Sequence, residues 1–247
     1  IIQMEQTKKK QVHSGDRHLK DAAPKVLVEQ LKTTTSRIQL ATSVSDEDLI
    51  VCIKKAIENI VAARGFNNFS LGSDDDHLSA LLARFLQQKD YHTGFMIWGK
   101  SGCGMTTRLK AVNLLMQCLS DLVPESDYST MYVAAYDLVY PHATVELFEK
   151  MNNVDLLILD DLVSEQGRGE TSRLAKTLIA DLLFKRHNEM RPTIISSMFD
   201  IDNLGGIYGQ RVAEIIRESY YVVELTTNFR REIINSRQGE NPQNYET

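Results

Sequence analysis

No run in this 247-residue sequence approaches the roughly 20 consecutive apolar residues that a membrane-spanning helix needs, so none of its stretches is expected to cross a bilayer as a helix. The opening stretch, IIQMEQTKKKQVHSGDRHLKDAAPK, lacks the apolar centre of a secretory signal. Cysteine is scarce, odd in number and scattered, at Cys52, Cys103 and Cys118, so neither a disulfide framework nor a zinc site is expected. Together these absences predict a cytoplasmic protein. An excess of positive charge is also missing. The net charge of −5 argues against general coating of nucleic acid, although a local basic patch depends on where charge sits and not on its sum. The run Lys8, Lys9, Lys10 reads as a solvated tail.

What remains has the balance of a globular protein, 43% apolar and 25% charged. The length accommodates one α/β domain and a smaller appendage. Residues 1–44 are polar, carry TTTS at 33–36, and read as a flexible segment with a short helix around Val26, Leu27 and Leu31. Residues 45–77 read as a helical linker or partner-binding region. Ser45 or Asp46 caps a helix whose apolar residues, from Leu49 to Val61, recur at three-and-four spacing up to Gly65. Asp74, Asp75 and Asp76 then put negative charge at the start of a further helix, where the macrodipole favours it.

From about residue 92 short apolar runs alternate with amphipathic stretches. Strands are predicted at 95–98, 131–135, 156–160, 193–197 and 221–225, with helices over 105–121, 144–151, 172–188 and 208–218. That alternation implies a mostly parallel sheet with helices on both faces, and ligands then sit beyond the carboxyl ends of the strands. The stretch from 236 to 247 reads as disordered.

Three motifs carry chemistry. GKSGCGMTT, residues 99–107, follows the apolar GFMIW and opens a helix. Its glycines allow successive backbone N–H groups to converge on a phosphate, and Thr106 is placed to offer a hydroxyl to magnesium. VDLLILDDL, 154–162, is a buried strand ending in Asp160 and Asp161. Asp160 is expected to hold magnesium through water, and Asp161 to polarise an attacking water. RPTIISSMFDIDNL, 191–204, is a further apolar strand with a polar end beside the first two. YGQRVAEIIRES and NFRRE add Arg211, Arg217, Arg230 and Arg231, residues suited to bidentate phosphate contact.

The order of GKSGCGMTT, LLILDDL, RPTIISSM and YGQR resembles the AAA+ ATPases of the DnaC/DnaI helicase-loader and IstB transposition-helper group, over residues 78 to about 235. The resemblance implies a P-loop three-layer sandwich with a mostly parallel five-stranded sheet, preceded by a small helical N-terminal region. It implies ATP or ADP with Mg2+, held by Gly99, Lys100, Ser101, Gly102, Cys103, Gly104, Met105, Thr106 and Thr107. Magnesium falls to Thr106 and Asp160, while Asp161 and Arg230 serve catalysis. The implied partners are DNA, single- or double-stranded, a replicative helicase or a transposase met through the N-terminal region, and further copies of the chain.

Three positions depart from that pattern. Met105 stands in place of the loop lysine, Met198 in place of a polar strand-end residue, and Ile215 in place of an arginine that reaches a neighbouring subunit. Each replacement removes charge or polarity near the terminal phosphate, and such stabilisation is most of what this chemistry requires. The expectation is nucleotide binding with weak or no hydrolysis, by a helicase loader or a transposition helper. The alternative is a non-catalytic adaptor built on a degenerate P-loop fold. Lys100, at the second position of the loop, matches where ParA/MinD ATPases carry a signature lysine and is a candidate substitute for Met105.

Overall fold

In the computed structural model, which describes residues 44–66, 69–122, 129–138, 144–163, 170–227 and 229, the five apolar runs form one parallel sheet. Its strands are β1 (Gly94–Gly99), β2 (Thr130–Ala134), β3 (Leu156–Leu162), β4 (Thr193–Ser197) and β5 (Tyr220–Leu225), in the order β2-β3-β4-β1-β5. Parallel neighbours need crossovers, and helices supply them on both faces. Consecutive strand residues therefore face two different cores. Phe95, Ile97, Leu156, Ile158 and Ile194 pack on one side, and Met96, Leu157, Leu159 and Ile195 on the other. Burial on both faces is why these runs are continuously apolar and not alternating.

The first core is closed by α1 (Asp46–Ala62), α2 (Ser73–Leu86) and α3 (Met105–Leu122). Helix α1 buries Leu49, Ile53, Ile57 and Val61 and lies against α2 and α3, so it shares this core with the sheet. Its start follows the sequence expectation: the Ser45 hydroxyl accepts the Asp48 N–H at 3.1 Å, and Asp46, Glu47 and Asp48 fill the first turn. The second core is closed by α4 (Val145–Asn153), α5 (Glu170–Asn188), α6 (Ile201–Tyr208) and α7 (Gln210–Ser219). A 3-10 turn, Ala135–Leu138, follows β2.

Arg186 of α5 fastens the end of the sheet away from the strands' carboxyl termini. Its guanidinium is fully buried and faces main-chain carbonyls. Nη1 donates to Met151, Asn152 and Val154 at 2.8, 3.0 and 2.8 Å, and Nη2 to Asp155 and Pro192 at 3.3 and 2.6 Å. Nε donates to Thr193 Oγ1 at 2.9 Å. One side chain thus satisfies the carbonyls where α4 ends and where β3 and β4 begin. Burial pulls its pKa down to about 10, which still leaves it charged at neutral pH.

The helix expected over 208–218 is α7, and an unexpected helix, α6, precedes it over Ile201–Tyr208. Asp200 caps α6 by accepting the Asn203 N–H at 2.9 Å, and Gly209, at φ 101°, separates α6 from α7. Residues 1–43, the stretch from 230 onward and the catalytic candidate Arg230 lie outside the described residues.

Candidate functional site

The three motifs meet at the carboxyl ends of β1, β3 and β4. The parallel register sets Ile97 beside Ser196 and Trp98 beside Ser197, and Ala134 beside Asp160. A cavity of about 530 Å³ opens there, at the start of α3. Ser101, Gly102, Gly104, Met105, Thr106 and Thr107 line it from the loop, and Asp161 lines it from β3. Gly99, Lys100 and Cys103 are not among its lining residues. Gly99 ends β1, Lys100 is exposed, and Cys103 is buried, which pushes its thiol pKa up and keeps it protonated.

The loop's shape rests on glycine at two points. Gly102 and Gly104 have φ of 92° and 90°, a region L-residues avoid. Gly104 is constrained twice, because a Cβ there would lie 2.5 Å from Arg108 Nη1 and 2.6 Å from the Phe229 ring. It is also the residue before α3, and with no side chain it adds no capping group of its own to the first N–H groups of that helix. Those groups and the positive helix end form an anion-binding surface.

Below the loop lies a buried ion pair. Arg108 Nε donates to Asp75 Oδ1 at 2.7 Å, and Nη2 lies 2.6 Å from the same oxygen. Asp75 Oδ2 accepts the Gly72 N–H at 3.2 Å, and Arg108 Nη1 donates to the Cys103 carbonyl at 2.7 Å. The guanidinium also lies over the Phe229 ring, 4.5 Å from its centroid. In sequence Asp75 reads only as a first-turn acid of α2; in the structure it also ties that helix to the phosphate-type loop.

The two acidic residues of β3 are treated differently. The β3–β4 pairing slips between Leu159 and Leu162, and Asp161 adopts φ 57° at that irregularity. Its N–H is donated to Ser196 Oγ at 2.8 Å in place of a regular ladder bond. The bulge leaves Asp161 at the cavity while Asp160 is 2% exposed. Asp160 Oδ1 accepts the Ser196 hydroxyl at 2.5 Å and Oδ2 accepts the Tyr132 hydroxyl. Burial first, and then the bond to Asp160, push the Tyr132 pKa far up, so it stays a proton donor.

The positions that depart from the resemblance are now placed. Met105 is 8% exposed and packs into the first core while touching the cavity. Met198 lines the cavity and is half exposed. Ile215 is buried in the second core, whereas Arg211 and Arg217 are exposed on the same helix. Arg211 lies over the Phe184 ring and Arg217 pairs with Asp202.

Sequence reasoning missed two further residues. Tyr132 sits in a strand read only for its apolar pattern. Arg64 follows α1, lines the cavity, and donates from Nη1 to Thr107 Oγ1 at 3.2 Å. No local pattern marks either one, because both act across the sheet or between helices.

No protein-family model and no curated protein matches the sequence. Solved structures do resemble the fold. The crystal structure of DnaI is 23% identical with a TM-score of 0.51, covering 67% of this chain and 89% of its own. AMPPCP-bound DnaA from Aquifex aeolicus is 18% identical, TM-score 0.51, covering 71% of this chain and 54% of its own. The replication initiator DnaA bound to AMPPCP and single-stranded DNA is 20% identical, TM-score 0.50, with the same two coverages, 71% and 54%. The chain therefore spans little more than half the length of either DnaA structure. At such identities the likeness speaks for architecture, and it agrees with the sheet order and the loop at the end of β1: the chain shares the α/β fold of these structures, with its five-stranded parallel sheet.

Proposed function

We propose that this chain is a nucleotide-binding accessory protein of DNA replication or transposition, a helicase loader or transposition helper, that binds ATP or ADP and hydrolyses it weakly or not at all. The observation that carries the reading is the cavity at the start of α3, lined by the glycine loop and by Asp161. Its donor set fits a phosphate chain: backbone N–H groups at a helix start, the Ser101 and Thr106 hydroxyls, and an apolar rim of Phe66, Met198 and Phe229 beside them. Thr106 and Asp160 are the candidate pair for Mg2+, which would supply charge neutralisation on the phosphates when bound. Asp161 is the candidate to orient water.

Hydrolysis is the weaker half of that chemistry. Neither Met105 nor Met198 can donate a hydrogen bond to a phosphate oxygen. Binding depends on them less, because the loop N–H groups and the helix end are main-chain features. Likeness to DnaI and to nucleotide-bound DnaA supports the assignment, and the DnaA structure with single-stranded DNA supports DNA as a partner. The helicase or transposase contact belongs to the N-terminal region.

A second reading, the nucleotide-indifferent adaptor, is favoured by one observation. Both oxygens of Asp160 already accept protein hydroxyls. The deciding experiment measures ATP binding and turnover for the parent and for Met105→Lys, with and without single-stranded DNA. The expected result is binding by the parent with little turnover, and faster turnover in the variant. Brisk turnover by the parent would remove the weak-hydrolysis reading. Absence of nucleotide binding, alongside tight binding to a helicase or transposase, would establish the adaptor.

A further inference from the structure

The cavity has an unusual charge inventory for a phosphate site. Among the described lining residues Arg64 is the one cation and Asp161 the one anion. The loop contributes no positive side chain, since Met105 is apolar and Lys100 lies outside the lining. A di- or triphosphate placed there would meet main-chain dipoles and Arg64, and no other described positive group.

Arg64 is held in place by what precedes it. Helix α1 packs against α2 and α3, buries Leu49, Ile53, Ile57 and Val61, and ends in a hydrogen-bonded turn. The Arg64 N–H donates to Val61 O at 3.1 Å, Gly65 N–H to Ala62 O at 2.8 Å, and Phe66 N–H to Val61 O at 3.4 Å. Gly65, at φ 87°, supplies the left-handed residue that such a helix end favours. The side chain then crosses to α3, where Nη1 donates to Thr107 Oγ1 at 3.2 Å. Thr107 is buried beside Thr106, so the guanidinium is held at the start of α3. Arginine carries five N–H donors in a planar fork and suits bidentate contact with phosphate oxygens.

We propose that Arg64, delivered by α1 from outside the P-loop, is the phosphate-binding cation of this cavity and takes the place of the lysine that Met105 replaces. The proposal rests on the nucleotide reading above. It assigns the N-terminal helix α1 a part in ligand binding: nucleotide affinity depends on α1 staying seated on α3. It also separates two roles that a loop lysine combines. Arg64 reaches the cavity from the α1 side, so it contributes to holding phosphates, whether two or three, and leaves the hydrolytic defect of Met105 in place.

The test is equilibrium binding of ATP, ADP and adenosine to the full chain, with Mg2+, for the parent, Arg64→Ala and Arg64→Lys. Arg64→Ala is expected to weaken ATP and ADP by about 10- to 100-fold, the range of one or two hydrogen bonds to a charged group. Adenosine, which lacks phosphate, keeps its parental affinity, and Arg64→Lys falls between parent and alanine. Arg64 is exposed and, among the described residues, its side chain bonds to Thr107 alone, so the melting temperature is expected to stay within roughly a degree or two. A parent that binds neither ATP nor ADP overturns the nucleotide reading and this proposal together. A parent that binds both, with Arg64→Ala equal to it, overturns the role of Arg64 alone. Equal weakening of adenosine also overturns that role, since it would show a general loss of the cavity and not of a phosphate contact.

Discussion

The Asp75–Arg108 pair offers the sharpest quantitative test of how the loop is held. Both groups are removed from water, with side-chain exposures of 3% and 0%. Asp75→Asn removes the negative charge and leaves a buried guanidinium with a neutral amide oxygen at position 75, the Cys103 carbonyl and the Phe229 face as its remaining partners. Breaking a buried pair from one side typically costs about 3–5 kcal/mol, because the surviving charge keeps its desolvation penalty. The lower part of that range is expected here, about 3 kcal/mol, since the carbonyl and the ring continue to stabilise Arg108. Arg108→Met leaves the Asp75 carboxylate with the Gly72 N–H and is expected to cost about as much. The double variant Asp75→Asn/Arg108→Met contains no buried charge at this point. It is expected to lose at least about 2 kcal/mol less than the sum of the single losses. Urea unfolding of the four proteins, with a common denaturant slope, gives the coupling directly. Additivity within about 0.5 kcal/mol would refute the pair as an energetic unit. A loss below about 1 kcal/mol for Asp75→Asn would refute its burial as the source of the cost. Because Arg108 also holds the Cys103 carbonyl, the single variants loosen the loop, and their nucleotide affinity is expected to fall with their stability.

How much of this was legible in sequence depends on the range of the interaction. The strands were legible because Leu156–Leu159 and Ile194–Ile195 must be apolar on both faces of a parallel sheet. The start of α1 was legible from Ser45 and its acidic first turn, a signal contained within four residues. Helix α6 was not read as a helix, although Asp200 and Asn203 mark its start, because Gly205 and Gly206 lower its apparent propensity. Gly205 is there for packing, since a Cβ would lie 3.0 Å from the Cβ of Ala213 on α7. At the site, GKSGCGMTT and LLILDDL named the loop and the acidic strand end. They did not distinguish the buried Asp160 from Asp161 at the cavity, because that difference comes with a bulge at which the Asp161 N–H bonds across the strands to Ser196. Arg64 and Tyr132 were invisible for the same reason: each meets its partner across 28 residues of chain or more.

Two other perturbations probe the frame and the metal side of the site. Arg186→Met strips the donors from five carbonyls, four of them at buried bonds and each of those worth about 1–3 kcal/mol when left unpaired. With relaxation and entering water a loss of about 4 kcal/mol is expected in urea unfolding, only partly recovered by Arg186→Lys, whose three donors cannot reach six acceptors. A loss under about 2 kcal/mol would mean that these carbonyls find other partners. Tyr132→Phe tests whether the hydroxyls on Asp160 compete with magnesium or merely orient the carboxylate. In the structure the two oxygens of Asp160 accept from Tyr132 and Ser196, so recruiting Asp160 to a magnesium-bound water displaces or shares at least one of those bonds. A net hydrogen bond is worth about 0.5–1.5 kcal/mol, and removing the competitor is expected to lower the Mg2+ concentration for half-maximal ATP binding by about 2- to 10-fold. The titration is run at fixed ATP on parent and variant. A half-maximal Mg2+ concentration that stays the same or rises would refute competition, because a hydroxyl that only orients Asp160 leaves a poorer ligand when it is lost.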